Sequence, residues 1–436
     1  MNKKLLLAGL AGILSLATAC KKDDPSPKPT PTPQPGFTIE AKTTDLLQFD
    51  TVRLSAQGAK ADAKLSWVIN GKEVAEGKDY AFTQPRVGRY QVSLVDKTSG
   101  EKVSKDFSVT ARFTSGAFLL NEGNFGNETG TLTYIDASKQ FVLDSAYIRV
   151  NGTKLGNVCQ DMTFANGKVY IISQNGPKNG GEGLLTIADA KTLEKHKVIN
   201  DATLAKDWPT HIAVVHSRIY LRGNSGIYRG TEEGSFKLIP GTEKANKLRM
   251  VTIGELVIAT TSTNKLLVIQ DEEVKQTFTL PEGSPSGLAL APDGQLWLSY
   301  SKPNTLAKVS VSASGVKILD KHTTTQSLDK KYTATSAIFA RANQIFFTEQ
   351  TSVIYRHDFS TGETKEIVDV QKVDKQAKMY YNSLGIDPKT GHIYYASFGD
   401  YSTYKKNVTL VLDHDGKVLL KREHVNAFPA GFYFIP

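Results

Sequence analysis

The side chains best suited to holding a ligand are aromatic. Phe125, Trp208, Tyr300, Tyr332, Tyr381, Phe398, Tyr401 and Tyr404 fall in stretches rich in Gly, Asn, Lys and Ser, with Asn124, Asn175 and Lys178 among them. Tyr380 and Phe428 add further rings, and Asn179, Lys302, Lys378, Asn382 and Lys405 further polar neighbours. Rings beside amides and cations capture a flat or bulky polar molecule: the ring faces stack on it, while the amides and ammonium groups hydrogen-bond its edge.

Catalytic patterns are scarce by comparison. The 8 histidines stand apart, most of them, such as His211 and His392, within predicted strands, and no pair has the spacing of metal ligands. There is no Gly-x-Ser-x-Gly elbow and no phosphate-binding glycine loop. Asp413-His414-Asp415-Gly416 has the start of a calcium loop without its later ligands, and it sits where a hairpin turn is required. Cys159 reads as buried filler. The expectation is therefore a binding protein and not an enzyme, with no catalytic residue, no metal and no cofactor.

The elements that must position those rings repeat along the chain. Each unit opens with a strand of small and apolar residues, turns at Gly, Asn or Asp, and continues into a strongly apolar second strand. Examples are Gln160-Asp161-Met162-Thr163-Phe164 with Val169-Tyr170-Ile171-Ile172, and Ser286-Gly287-Leu288-Ala289-Leu290 with Leu296-Trp297-Leu298-Ser299. A shorter unit pairs Arg249-Met250-Val251-Thr252 with Leu256-Val257-Ile258. Two further strands complete each four-stranded sheet, the unit of a β-propeller.

Six complete units leave two fragments over. Residues 117–143 supply a second, third and fourth strand, whereas residues 428–434 supply an opening strand with nothing after it. Joining them in one sheet, with residues 430–434 on residues 117–120, closes a seven-bladed ring and removes the exposed edges of an open array. The fold class is all-β: a seven-bladed β-propeller over residues 113–436, preceded by a small β-sandwich over residues 37–112.

In such blades one face of the disc carries the connections from strand two to strand three and from strand four to the next blade. Those connections are long here (121–130, 173–183, 397–407, 146–159, 200–209), whereas the opposite face has tight turns such as Asn166-Gly167. Loops on a rigid scaffold carry function, so the long-loop face is the expected working surface, and it holds the aromatic residues named above.

The N-terminal residues address the compartment. Lys3 and Lys4, the apolar run 5–17 and Ala17-Thr18-Ala19 before Cys20 form a secretory signal over residues 1–19, too short to span a membrane. The small residues before Cys20 resemble a bacterial lipobox, which implies lipidation of Cys20. Lys21-Lys22-Asp23-Asp24 resembles the export tag of Bacteroidetes lipoproteins, which implies an outer-membrane lipid anchor facing the cell exterior. Alternating prolines over residues 20–36 make an extended stalk. Net charge is +9, but the basic residues are spread out, without a basic run or interleaved aromatics, so nucleic acid is not an expected partner.

Two resemblances extend this reading. Leu65-Ser66-Trp67 followed by Gly88-Arg89-Tyr90-Gln91-Val92 resembles PKD-type and other immunoglobulin-like modules, with Trp67 as core. Phe118-Leu119-Leu120-Asn121-Glu122-Gly123-Asn124-Phe125-Gly126 with Gly130-Thr131-Leu132-Thr133-Tyr134-Ile135-Asp136 resembles the opening of YncE-like propeller lipoproteins of Bacteroidetes. One branch of these captures cobalamin above a TonB-dependent outer-membrane transporter. The resemblance implies a surface lipoprotein that binds a small nutrient, a corrinoid first and a siderophore, haem or glycan behind it, and passes it to such a transporter. A propeller lactonase or lyase is the enzymatic alternative. It needs acidic or histidine clusters around the central channel, where the opening strands offer mainly Ser, Thr, Gly and Ala, with Asp161 and His211 as exceptions. An adhesion or scaffold protein is the third reading.

Overall fold

A strand that is apolar at every position can bury both faces only where a sheet lies on each side of it. The second strands of the repeats do this. Lys168–Ser173, Leu256–Thr260, Leu296–Ser301 and Ile393–Phe398 are buried along nearly their whole lengths. At the rim the pattern relaxes, and Glu273–Thr279 alternates between exposed and half-buried positions. The structure, a computed structural model, describes residues 36–329, 336–380, 384–425 and 428–436. Among these, no helix is long and apolar enough to cross a membrane.

Seven four-stranded sheets make the propeller. The innermost strands of blades two to seven are Cys159–Ala165, His211–Val215, Val251–Ile253, Ser284–Leu290, Ile338–Arg341 and Leu384–Ile386. Blade one is shared between the chain ends: Pro429–Phe434 forms its inner strand against Ala117–Asn121, followed outward by Thr131–Ile135 and Val142–Leu143. The register pairs Phe432 with Leu119, Tyr433 with Phe118 and Phe434 with Ala117, the closure that the leftover fragments predict. Neighbouring inner strands come so close near the axis that some positions admit only glycine. A Cβ on Gly287 would stand 2.5 Å from Ser336 Oγ, and one on Gly385 would stand 2.6 Å from Phe432 Cβ.

Two of the long connections are not plain loops. Ala146–Asn151 and Ala202–Asp207 are short helices. The second is capped by Asp201, whose carboxylate accepts from the Thr203 and Leu204 amides at 2.8 and 3.0 Å, while Leu204 is buried beneath it.

Ahead of the propeller, strands Thr38–Ala41, Thr51–Gln57 and Asp79–Thr83 face a five-stranded sheet made of Asp45–Leu47, Lys102–Thr110, Gly88–Asp96, Leu65–Ile69 and Lys72–Glu76. Trp67 lies fully buried between the sheets, its indole donating to the Gly77 carbonyl at 3.0 Å. The sandwich docks on the propeller through a polar plug. Buried Gln48 donates to Pro85 O at 2.7 Å within the sandwich and to Thr192 O at 3.0 Å on blade two. Arg112 pairs with Asp50 and lies 3.9 Å over the Phe141 ring.

Candidate functional site

The loop from residue 121 to 130 is the keystone of the long-loop face. Asn124 folds it by accepting from the Gly126 amide at 2.8 Å, and Gly123 has a φ of 82° where an added Cβ would meet Thr129 O at 2.4 Å. Asn157, fully buried in the connection into blade two, then locks the loop. Its amide donates to Asn124 O at 2.9 Å and to Glu128 O at 2.5 Å, and its carbonyl accepts from Asn175 at 2.6 Å. So held, Phe125 presents its ring outward with 50% exposure. Lys178 Nζ sits 3.6 Å over that ring, and Trp208 stands 6.3 Å from it. Trp208 is turned out by a φ of 55° at the end of the capped helix and keeps 46% exposure. Loops of blades one, two and three thus bring Asn124, Phe125, Asn175, Lys178 and Trp208 into one group.

A second group stands where blade seven meets blade one. Tyr404 stacks on Phe428 at 4.8 Å and 9°, Tyr401 lies 5.9 Å from Phe428 with 59% exposure, and Phe398 supports both from below. The turn carrying these rings is fastened by Asp400, which accepts from Ser402 and Thr403 and is thereby held at about 2, below its ordinary 3.8. An ion pair between Lys405 and Glu128 ties this group to the 121–130 loop. Nearby, Glu122 accepts the Cys159 amide at 3.0 Å, and its own amide donates to Phe428 O at 2.7 Å. Lys247 is pushed below its usual value by burial and by the Arg222 charge, with Glu122 opposing. Loop length and ring content in the sequence point to the surface residues but not to Asn157, Glu122, Lys247 or Arg222. Asn157 and Lys247 are polar side chains in blade connections, Arg222 ends a strand, and Glu122 stands only as part of the family-like stretch 118–126.

Two of the expected ligand contacts are corrected. Tyr300 is fully buried in the cluster shared by blades four and five, because its strand, buried at every position, runs on through it to Ser301. Phe398 is 1% exposed and supports the face without reaching a ligand. Tyr332, Tyr381 and Cys20 lie outside the described residues. Cys159 is sealed against Gly130, where an added Cβ would stand 2.3 Å from its sulfur, and burial pushes its thiol far up.

The opposite end of the axis differs. A cavity of about 360 Å³ is lined by residues at the ends of the inner strands that adjoin the short turns, among them Phe164, Leu290, Ala340, Pro388 and Phe434. Arg249, Tyr433 and Ser336 also line it. Asp161, fully buried beside it, accepts from Tyr433 Oη at 2.7 Å, Arg249 Nε at 3.3 Å and the Ile212 amide at 3.1 Å. Burial raises the Asp161 carboxyl against the pull of Arg249. His211, the other exception on the inner strands, is buried and bonded to Thr210 at 3.0 Å. Among the described residues, no three His, Cys, Asp or Glu side chains converge as a metal site would need.

Comparisons with known proteins follow this architecture. The family described as Domain of unknown function (DUF5074) matches residues 115–435, the propeller. The Penicillin-Binding Protein C-terminus Family matches residues 27–104, the sandwich and the stretch before it, where the sequence motif resembles a PKD module. No curated protein matches the chain significantly. Among solved structures, a Quinonprotein alcohol dehydrogenase-like protein from Bacteroides thetaiotaomicron is similar with a TM-score of 0.60 at 16% identity, covering 92% of this chain and 99% of that one. Coverage this wide takes in sandwich and propeller together. A protein from Lactobacillus plantarum is similar with a TM-score of 0.51 at 11% identity, covering 74% of this chain and 99% of that one. Identities this low establish likeness of fold.

Proposed function

The chain belongs to the DUF5074 family, and from that premise we propose that its propeller is a capture surface for a small nutrient, with the long-loop face as the binding site. One observation carries the reading. Phe125, Trp208 and Tyr401 are exposed by 50%, 46% and 59% on loops that a buried amide network and an ion pair hold in place. Exposed rings on fixed loops offer stacking area at low ordering cost, and here they stand in contiguous groups, Phe125 with Trp208 and Tyr401 with Tyr404 and Phe428, as binding patches do. Lys178 and Lys405 border the rings and suit a ligand with acidic or amide edges.

A corrinoid is the first ligand we propose: it is broad and flat, with amide side arms. In this reading Cys20 carries a lipid, the protein stands on the outer membrane facing outward, and it hands its ligand to a TonB-dependent transporter without chemical change. Calorimetric titration of the lipid-free mature chain with cyanocobalamin tests the ligand. Saturable heat that is lost in Phe125→Ala supports it, and no heat at micromolar protein rules out the corrinoid. A ferric siderophore, haem and oligosaccharides titrated in the same way then decide whether the face binds another nutrient.

A further inference from the structure

The axial cavity is a separate opportunity from the aromatic face. Its wall is mainly apolar, with Met162, Leu288, Ile338 and Phe432 beside the hydroxyls of Thr163 and Ser336, and its volume of about 360 Å³ falls within the range of small-molecule sites, about 300–1,000 Å³. Arg249 is the one charged side chain among the described lining residues. It precedes the inner strand Val251–Ile253 and so enters from the long-loop end of that strand. The lining elsewhere reaches Leu290, Ala340 and Phe434 beside the short turns. The cation therefore stands at the inner end of an apolar channel whose outer end faces the short-turn side.

Two neighbours orient this arginine. Asp161 accepts from Nε at 3.3 Å, and the Tyr433 ring lies 4.5 Å beneath the guanidinium carbon. Asp161 is itself held by the Tyr433 hydroxyl and the Ile212 amide, so it serves as a fixed anchor. Arg249 keeps 23% of its side chain exposed and lines the cavity, where no acidic side chain stands among the described lining residues. A guanidinium has five N–H donors; Nε engages Asp161, and the Tyr433 hydroxyl takes up another, which leaves donors over. The terminal nitrogens are matched in geometry to a second carboxylate, in surroundings where water competes poorly.

We propose that the axial cavity binds a small organic monocarboxylate with an apolar body, its carboxylate on Arg249 and its body against the Met, Leu, Ile and Phe side chains of the inner strands. The site is independent of the ligand on the long-loop face. Binding is non-covalent, and the carboxylate enters in its ionised form at neutral pH.

Titration of the mature chain with octanoate, octan-1-ol and inorganic phosphate tests this, read by calorimetry with protein melting recorded for each variant. Octanoate should bind one to one, with octan-1-ol and phosphate each weaker by at least about tenfold. Arg249→Gln should reduce octanoate affinity by a similar factor and leave octan-1-ol unchanged. Because Arg249→Gln can also loosen the fold around Asp161, a second pair keeps that ion pair intact. Leu290, 39% exposed and at the mouth, is replaced by Asp or by Lys. Leu290→Asp should weaken octanoate several-fold and Leu290→Lys should strengthen it, both effects shrinking with added salt. Phe125→Ala should change none of this. Equal affinity for octanoate and octan-1-ol, phosphate binding in place of octanoate, no octanoate binding at millimolar concentration, identical behaviour of the two Leu290 variants, or loss of octanoate binding in Phe125→Ala would each overturn the proposal.

Discussion

The two ends of the propeller axis solve opposite problems. On the long-loop face, apolar rings are pushed outward, and Asn157 beneath them is buried with both its amide and its carbonyl bonded. At the short-turn end the surface is apolar and inward-facing, and a charged pair, Asp161 with Arg249, is kept inside. The first arrangement gains nothing for the free fold from exposing Phe125 and Tyr401. The second ties blade two, the segment leading into blade four and the closing strand to one carboxylate. The difference teaches that the rings of the face are dispensable to the fold, as the proposed binding role requires, whereas the axial triad belongs to closure.

The comparison breaks most visibly if the closing strand is removed. A chain ending at residue 427 loses the register with Ala117–Asn121 and the Tyr433 hydroxyl at once, and the propeller should fail to show a cooperative melt while the sandwich, whose core is its own, still does. Next in size, Tyr433→Phe leaves the packing but orphans part of a buried acceptor. It should cost about 1–3 kcal/mol in denaturant unfolding, with no change of affinity at the long-loop face. Smaller still, Trp208→Ala should shift stability by no more than about 0.5 kcal/mol, because nearly half the side chain faces solvent, yet weaken ligand affinity measurably. A Trp208→Ala variant that unfolds early, or a Tyr433→Phe variant that loses ligand, would merge the two roles that the comparison separates.

The smallest effect is a pH response confined to the face. The Asp400 carboxyl has its folded value lowered to about 2 from 3.8, so it contributes order to the 400–403 turn above its ordinary value and loses that contribution as pH falls toward 2. Fluorescence or NMR signals of Tyr401 and Tyr404 should therefore stay unchanged through pH 5 and move only in that acid window. In Asp400→Asn the acid-dependent change should disappear. A change near neutral pH would point to a group other than Asp400.

Much of this architecture can be read from the sequence, for a physical reason. Strands such as Leu296–Ser301 carry apolar residues on both faces because blades pack on both sides, and that density survives as a repeat visible without coordinates. Closure was equally legible, since three strands at one end and one at the other leave no second way to pair every edge. The sequence misleads at Tyr300: the apolar run breaks at Ser299, yet the buried strand continues to Ser301 and the ring goes inward. Helices of six residues, Ala146–Asn151 and Ala202–Asp207, are too short to establish a period and read as loops. The axial triad was hardest to foresee. Asp161 stands out on its strand, but Arg249 looks like the start of a short one, and Tyr433 lies 272 positions away from the carboxylate that it bonds. Nothing local in the sequence marks side chains that meet only when the ring closes.

The most direct test of the working face is hydrogen–deuterium exchange on the mature chain with and without saturating cyanocobalamin. The account predicts slowed exchange in peptides spanning residues 121–130, 173–183 and 397–407, with the short turns at 166–167, 292–294 and 387–391 unchanged. Protection centred on those short turns, with the 121–130 and 397–407 loops unaffected, would contradict it.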